Sequence, residues 1–249
     1  MTEVVLSGCC GKMGRVLADI ISRRNDAKVV EGIDINPCKY ADFEVVGSPA
    51  ELKSKPHVII DFSHPTALDG LLEYAKTNGV ALVLASTGYS PEQIAKIKSS
   101  ASEIAVFFTA NMSLGINLLS ELAKKAALVL GEQYDIEIIE KHHNQKIDAP
   151  SGTALMLADA INDACDNAYS YVYDRHSVRK KRDNKEIGLH SVRGGTIVGE
   201  HEIVFAGRDE VITLSHSAAS KEVFAVGAVN AAVFIAGKAN GLYSMADLI

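Results

Sequence analysis

Val4-Val5-Leu6-Ser7-Gly8-Cys9-Cys10-Gly11-Lys12-Met13-Gly14-Arg15 is an apolar run followed by three glycines at three-residue spacing and then a helical pattern. A dinucleotide pyrophosphate needs backbone amides to approach closely at a helix N-terminus, where unpaired N–H groups carry partial positive charge. Gly8 and Gly11 permit the tight turn, and Gly14 lets the helix lie close to the strand. Cys10 stands where the usual fingerprint has its second glycine. Asp34 closes the next strand-like run, Lys28–Asp34, 20 residues beyond Gly14. That is the spacing of the carboxylate that accepts hydrogen bonds from a ribose hydroxyl. The competing reading is a plain strand–turn–helix, and Asp34 argues against it.

The same alternation continues outward from this stretch. Helical spacing covers Met13–Arg24, through Val16, Leu17, Ile20 and Ile21. Apolar runs at Val58–Phe62, Val80–Ala85 and Ile104–Thr109 read as strands, with a helix through Leu68, Leu71, Leu72 and Ala75 and another starting at Ser90-Pro91. Continuous apolar strands separated by helices specify a parallel sheet covered on both faces. The expected fold class is α/β, with an N-terminal Rossmann-type doubly wound parallel sheet. Ligands of such sheets bind at strand C-termini, so Ala85, Ser86 and Thr87, and Thr109, Ala110, Asn111 and Met112, are expected to line the same crevice as the glycine turn. Each is equally well read as a simple turn.

Past residue 112 the pattern changes. Leu114–Leu130 reads as a long amphipathic helix, Asp135–Glu140 as a strand, and the stretch after Ser151 as a helix. Strands then follow at Tyr171–Tyr173, Gly188–Val192, Thr196–Phe205 and Val211–Ser217, with Lys185–Val192 expected to pair with the third. Ala218–Lys238 reads as a strongly apolar helix packing back on the first domain. The expectation is a dinucleotide-binding domain at 1–112, rejoined by 221–249, and a central α+β domain at 113–220.

The 249 residues are 47% hydrophobic and 22% charged, as in an ordinary globular protein. A net charge of −6 argues against a nucleic-acid partner. The one basic run, Arg179–Arg182, reads as a solvated loop. No apolar run reaches the ~20 residues a membrane helix needs. MTEVVLSG enters a strand directly, without a basic signal-peptide region, so a cytoplasmic protein is expected. Cys9, Cys10, Cys38 and Cys165 show no zinc spacing, and four free thiols are expected in a reducing cytosol.

The densest polar cluster is Glu140-Lys141-His142-His143-Asn144-Gln145-Lys146-Ile147-Asp148-Ala149-Pro150-Ser151-Gly152-Thr153. A histidine exchanges a proton near neutral pH, a lysine stabilises developing negative charge, and the amides of the following helix start suit an anion such as a carboxylate. A zinc site at His142 and His143 is disfavoured, because strand neighbours point to opposite faces and no third ligand is suitably spaced; no metal is expected. A bland surface loop is the other reading. Ser151 reads as a helix cap rather than a nucleophile. His176, His190, His201 and His216 read as structural. Arg193 in Arg193-Gly194-Gly195 reads as part of a turn, with a role at a substrate or subunit contact left open.

His142-His143-x-x-Lys146-x-Asp148-Ala149-Pro150-Ser151-Gly152-Thr153-Ala154 resembles the signature of the 4-hydroxy-tetrahydrodipicolinate reductase family, formerly dihydrodipicolinate reductase. Gly8–Gly14 with Met13, Ala85–Gly88, Asn111–Gly115 and Arg193-Gly-Gly-x-x-Val-Gly-Glu-His201 resemble it in the same order. The departures are Cys10 in the glycine loop and Ala85 where the family commonly has glycine. The resemblance implies hydride transfer from NADH or NADPH to a cyclic dicarboxylate, in lysine and diaminopimelate biosynthesis, by a homotetramer. It implies His142 and Lys146 as the catalytic pair, and His143, Gly152 and Thr153 as carboxylate binders. Gly8, Cys9, Cys10, Gly11, Lys12, Met13, Asp34, Ala85–Thr87 and Thr109–Met112 would then contact the cofactor. A carboxylate at Asp34 repels a 2′-phosphate, and Ile35 and Asn36 follow it rather than Arg. NADH is therefore expected to be used at least as well as NADPH, with Lys39 close enough in sequence to oppose this. Two rival readings are a dehydrogenase of another small amino-acid-derived acid and a non-catalytic NADH-sensing regulator. The first often uses a cysteine nucleophile or a Lys–Asp pair, and no cysteine lies near residues 140–154; the second needs a DNA-binding or partner module, for which the chain shows no spare segment.

Overall fold

The computed structural model describes residues 1–249. In chain order its elements are β1 Thr2–Ser7, α1 Lys12–Ser22, β2 Ala27–Ile33, β3 Glu44–Val46, β4 Val58–Asp61, α2 Leu68–Asn78, β5 Ala81–Leu84, α3 Pro91–Ser100, β6 Ala105–Phe108, α4 Leu114–Leu130, β7 Asp135–His142, α5 Gly152–Ala164, β8 Ser170–Val172, β9 Glu186–Arg193, β10 Gly199–Ala206, β11 Val211–Ala218, α6 Glu222–Ile235 and β12 Gly241–Tyr243. The chain divides into two compact units, Met1–Leu114 with Glu222–Ile249, and Gly115–Lys221.

In the first unit seven strands run in the order β12-β6-β5-β4-β1-β2-β3, every pairing parallel. Alternate residues of each strand serve opposite faces. Val4, Leu6, Val58, Ile60, Val83 and Phe107 pack with Leu17 and Ile21 of α1 and with Ala228, Val229, Ala232 and Ile235 of α6. Val5, Ile59, Leu82, Leu84 and Val106 pack on the other side with Leu71, Leu72 and Ala75 of α2 and Ile97 of α3. Burial on both faces is why these strands read as unbroken apolar runs. Each fully buried Leu or Ile side chain contributes about 2 kcal/mol of transfer free energy.

Local signals set the ends of the helices. Ser90 caps α3 in a capping box, its hydroxyl accepting from Gln93 N while Gln93 accepts from Ser90 N. Gly227 lets α6 lie against residue 112, for a Cβ there would stand 1.7 Å from the Met112 carbonyl oxygen. The helix begins at Glu222 rather than Ala218, because β11 continues to Ala218. β3 and β12 are three-residue edge strands, too short to show a period in sequence.

The second unit is a mixed five-stranded sheet in the order β11-β10-β7-β9-β8. β7 runs antiparallel to β10 and parallel to β9. The expected pairing of Lys185–Val192 with the long strand is therefore wrong: β7 lies between them. That long strand also starts at Gly199, three residues later than its sequence pattern suggests. Ile136, Ile138, Ile187, Leu189, Ile203 and Phe205 form a core with Ile116, Leu119 and Ala123 of α4 and Leu157, Ala158 and Ile161 of α5. The basic run is not simply solvated. Arg182 bonds Asp135 and Glu137 and two backbone carbonyls of the sheet, and Lys180 pairs with Glu186.

Candidate active site

The glycine turn lies at the C-terminal end of β1. Gly8 has φ +77°, and a Cβ there would stand 2.9 Å from the Phe62 carbonyl oxygen. A Cβ on Gly14 would stand 2.3 Å from the Gly8 carbonyl oxygen, so α1 packs directly on the turn. Gly11 precedes α1 without a side-chain cap, which leaves the first amides of the helix facing outward for an anion. These features fit a dinucleotide pyrophosphate, with Lys12 exposed and Met13 half-buried at the start of the helix.

Asp34 follows β2 rather than ending it. Its Oδ2 accepts from Cys10 N at 2.9 Å and its Oδ1 from Asn36 N at 3.0 Å. The carboxylate is thus oriented by backbone, with lone pairs left over for a ribose hydroxyl. Ala85, Ser86 and Thr87 follow β5, and Thr109, Ala110, Asn111 and Met112 follow β6, on the same C-terminal edge of the sheet. Ser86 Oγ donates at 2.7 Å to Asp61, a buried carboxylate at the end of β4 that also accepts from Ser63. Asn111 Oδ1 accepts from Ser113 N, and Met112 is buried under α6.

The expectation of four free thiols is corrected. Cys10 and Cys38 are paired as a disulfide with Cα atoms 6.2 Å apart, while Cys9 and Cys165 are free. The partner of Cys10 lies 28 residues away, brought near by the parallel pairing of β1 and β2. The ligand atoms of Cys9, Cys10 and Asp34 lie within 4.8 Å of one another. The Cys10 sulfur is engaged with Cys38, and burial, then the Asp34 charge, pushes the Cys9 thiol up to about 11. This group therefore presents no thiolate to a metal.

The polar cluster is built on β7. The period of the strand puts Ile136, Ile138, Glu140 and His142 on the helix-covered face, so the apolar core gives way to a carboxylate and an imidazole at the strand end. Glu140 is fully buried. Its Oε2 meets His142 Nδ1 at 2.5 Å and accepts from Arg193 Nη1 at 2.8 Å; its Oε1 accepts from Arg193 Nη2 at 2.7 Å and from Ser151 N at 3.1 Å. Burial alone would raise the Glu140 carboxyl, but donors from Arg193, Ser191 and His142 outweigh it and hold the carboxyl down at about 2. Arg193 also donates to the Asp148 carbonyl at 2.6 Å, which pins the loop between β7 and α5.

Lys146 pairs with Asp148 at 2.9 Å, and this bond chiefly lowers the Asp148 carboxyl. Ser151 caps α5, its hydroxyl accepting from Ala154 N at 3.1 Å and meeting His201 Nε2 at 3.1 Å. Gly152 is exposed and Thr153 half-buried in the first turn of α5, and His143 is half-buried just past β7. The His142 and His201 rings meet edge to face at 5.3 Å. Burial, then the neighbouring His142, pushes His201 down to about 4. His201 therefore belongs to this cluster, against the expectation of a purely structural role. His176, His190 and His216 have no bond to the cluster.

In the second unit, then, the strand end gathers His142, Lys146, His143, Gly152 and Thr153, with Arg193 at its base. The glycine turn, Asp34 and the two later strand ends share the edge of the sheet in the first unit. Sequence reading placed Glu140 in the polar cluster and Asp61 in a strand, but gave neither a role. A signal existed for each: Glu140 lies two residues before His142, hence on the same face, and Asp61 ends an apolar strand at the edge where ligands bind. An open surface cavity of about 690 Å³ between α1, β2 and residues Tyr40–Phe43 is lined by residues of the first unit.

Residues 2–112 match the family model for the N-terminus of dihydrodipicolinate reductase, and residues 115–249 match that for its C-terminus. The chain is 48% identical to the 4-hydroxy-tetrahydrodipicolinate reductase of Clostridium novyi (strain NT), covering 100% of this chain and 98% of that protein. It is 49% identical to the protein of the same name from Caldanaerobacter subterraneus subsp. tengcongensis, with the same coverage. Its fold is similar to that of a dipicolinate-bound dihydrodipicolinate reductase from Paenisporosarcina sp. TG-14, with a TM-score of 0.83 at 24% identity over 100% of both chains. No helix is long and apolar enough to cross a membrane. With both family models and relatives matched along its whole length, and a parallel glycine-turn sheet followed by the His-His-x-x-Lys cluster, the chain belongs to the dihydrodipicolinate reductase family.

Proposed function

We propose that this chain reduces 4-hydroxy-tetrahydrodipicolinate to tetrahydrodipicolinate at the expense of NADH or NADPH, in lysine and diaminopimelate biosynthesis. The observation that carries the reading is the end of β7, where an imidazole, an ammonium group and the first amides of α5 are gathered within twelve residues of chain, His142–Thr153. A dicarboxylate needs fixed donors, and His143, Gly152 and Thr153 supply them in this reading. Gly8, Cys9, Cys10, Gly11, Lys12, Met13, Asp34, Ala85–Thr87 and Thr109–Met112 hold the dinucleotide.

When bound, the reduced nicotinamide supplies a hydride to C4 of the dehydrated ring. Addition at one end of a conjugated C=C–C=N system leaves an enamine anion, which must gain a proton at the neighbouring carbon. His142 and Lys146 supply that proton and stabilise the charge as it develops. Water is the leaving product of the preceding dehydration. Asp34 supports use of NADH at least as well as NADPH. The exposed Val192 and Ile212, on β9 and β11, support assembly into a homotetramer through the second unit. A biosynthetic enzyme drawing on the nicotinamide pool acts in the cytoplasm.

The test is a coupled assay in which dihydrodipicolinate synthase generates the substrate and NADH absorbance is followed. Synthase-dependent oxidation of NADH is the expected result. Its absence with a folded, NADH-binding chain overturns the reading.

A further inference from the structure

We infer that Glu140 is a positioning residue that locks the proton of His142 on Nδ1, so that the proton exchanged with substrate travels only through Nε2. The inference rests on the reading of His142 as a proton-handling group. It follows from counting the donors around one buried carboxylate.

Each Glu140 oxygen faces two partners of fixed position, and the Ser191 hydroxyl donates to the carboxylate as well. At Oε1 they are Arg193 Nη2 and Ser151 N; at Oε2 they are Arg193 Nη1 and His142 Nδ1. The guanidinium nitrogens and the backbone amide only donate. An ionised carboxylate only accepts, so His142 Nδ1 must carry hydrogen whether the ring is neutral or charged. Arg193 keeps the carboxylate ionised and is itself anchored to the Asp148 carbonyl. The other charged or titratable groups around the ring do not compete for Nδ1. His201 of β10 meets the ring edge to face and bonds Ser151 instead, His216 of β11 lies beyond His201 in the register, and Lys146 and Asp148 pair with each other.

Nε2, on the far side of the ring, faces Gly199 of β10, where a Cβ would stand 3.1 Å from it. One proton leaves or joins Nε2 in each turnover while the Nδ1–H bond stays intact and Glu140 stays ionised. A carboxylate acting through a histidine in this way orients the ring and sets its tautomer without taking the proton itself.

Glu140→Gln tests the inference because its amide NH₂ is best accommodated at the Oε2 position. At the Oε1 position its NH₂ would meet two donors, one of them fixed in the backbone. At the Oε2 position it meets one donor and an imidazole nitrogen that accepts once the tautomer flips. The variant should therefore move the neutral His142 ring from Nδ1–H to Nε2–H. Nitrogen-15 NMR of histidine-labelled protein reads this directly, with His142→Gln identifying the resonance.

In the coupled assay kcat of Glu140→Gln should fall about 100-fold or more, with KM changed by less than about threefold. Glu140→Asp, which keeps the charge, should recover part of kcat. Wild-type His142 found as the Nε2–H tautomer, or Glu140→Gln turning over at the wild-type rate, overturns the inference. If Glu140→Gln does not fold, the wild-type tautomer decides alone. A wild-type chain that shows the Nδ1–H tautomer but oxidises no NADH with substrate overturns the proposed function and leaves the tautomer assignment to Glu140 standing.

Discussion

His142 Nε2 faces Gly199 across the β7–β10 pairing, with no side chain between them. A methyl group at that point would press on the ring, and neither strand yields easily because both belong to the centre of the sheet. Gly199→Ala should lower kcat about tenfold by displacing the imidazole a few tenths of an ångström, and should cost about 1–2 kcal/mol of stability. Steady-state kinetics and urea unfolding measure the two effects. Unchanged kcat would show that the Nε2 edge is not where the chemistry happens.

His142→Ala and Lys146→Ala remove groups that lie in a different unit from the glycine turn and Asp34. Each should lower kcat by about 100-fold or more. NADH binding, followed by fluorescence titration, should stay within about threefold of wild type. Lost NADH affinity with unchanged turnover would reverse the assignment of roles.

Stability should fall in two stages on acidification. His201 is buried with its pKa lowered to about 4 from 6.5, so the unfolded chain takes up a proton that the folded chain refuses. Its contribution is present above pH 6.5 and is lost as the pH falls through about 4. Glu140 has its pKa lowered from 4.5 to about 2, so its contribution is present above pH 4.5 and is lost as the pH falls through about 2. Each stage amounts to about 3 kcal/mol at most. Urea unfolding at about pH 8, 5 and 3 should show both stages, and His201→Gln should flatten the upper one.

Asp34 is held in place by the amides of Cys10 and Asn36. The ratio of kcat/KM for NADH to that for NADPH should therefore be one or greater. Asp34→Asn, which removes the charge that repels a 2′-phosphate, should shift the ratio toward NADPH by about tenfold. A strong wild-type preference for NADPH, through Lys39 for example, would contradict this.

The pairing of Cys10 with Cys38 predicts that the unreduced chain, unfolded in guanidinium, titrates two thiols with Ellman's reagent, from Cys9 and Cys165. After reduction the same assay should give four.

Much of the fold was legible in sequence because its signals are local. Continuous apolar runs report strands buried on both faces, Ser90-Pro91 reports a helix start, and Gly8–Gly14 reports a turn in which a Cβ would strike backbone. The alternation Ile197, Gly199, His201, Ile203, Phe205 reports one face of a long strand by its period of two, and the strand takes it up from Gly199. β3 and β12 were invisible because three residues carry no period and their place is set by the neighbouring strand.

The sequence alone determined which residues bring chemistry, since residue type, spacing and a helix start are properties of a short stretch of chain. Only the tertiary structure decided their partners. Strand register set Arg193 beside Glu140 and Gly199 beside His142, and put β7 between β9 and β10. It also drew Cys38 to Cys10. These relations join residues tens of positions apart, and the energy that selects them comes from burying whole strands rather than from any local preference.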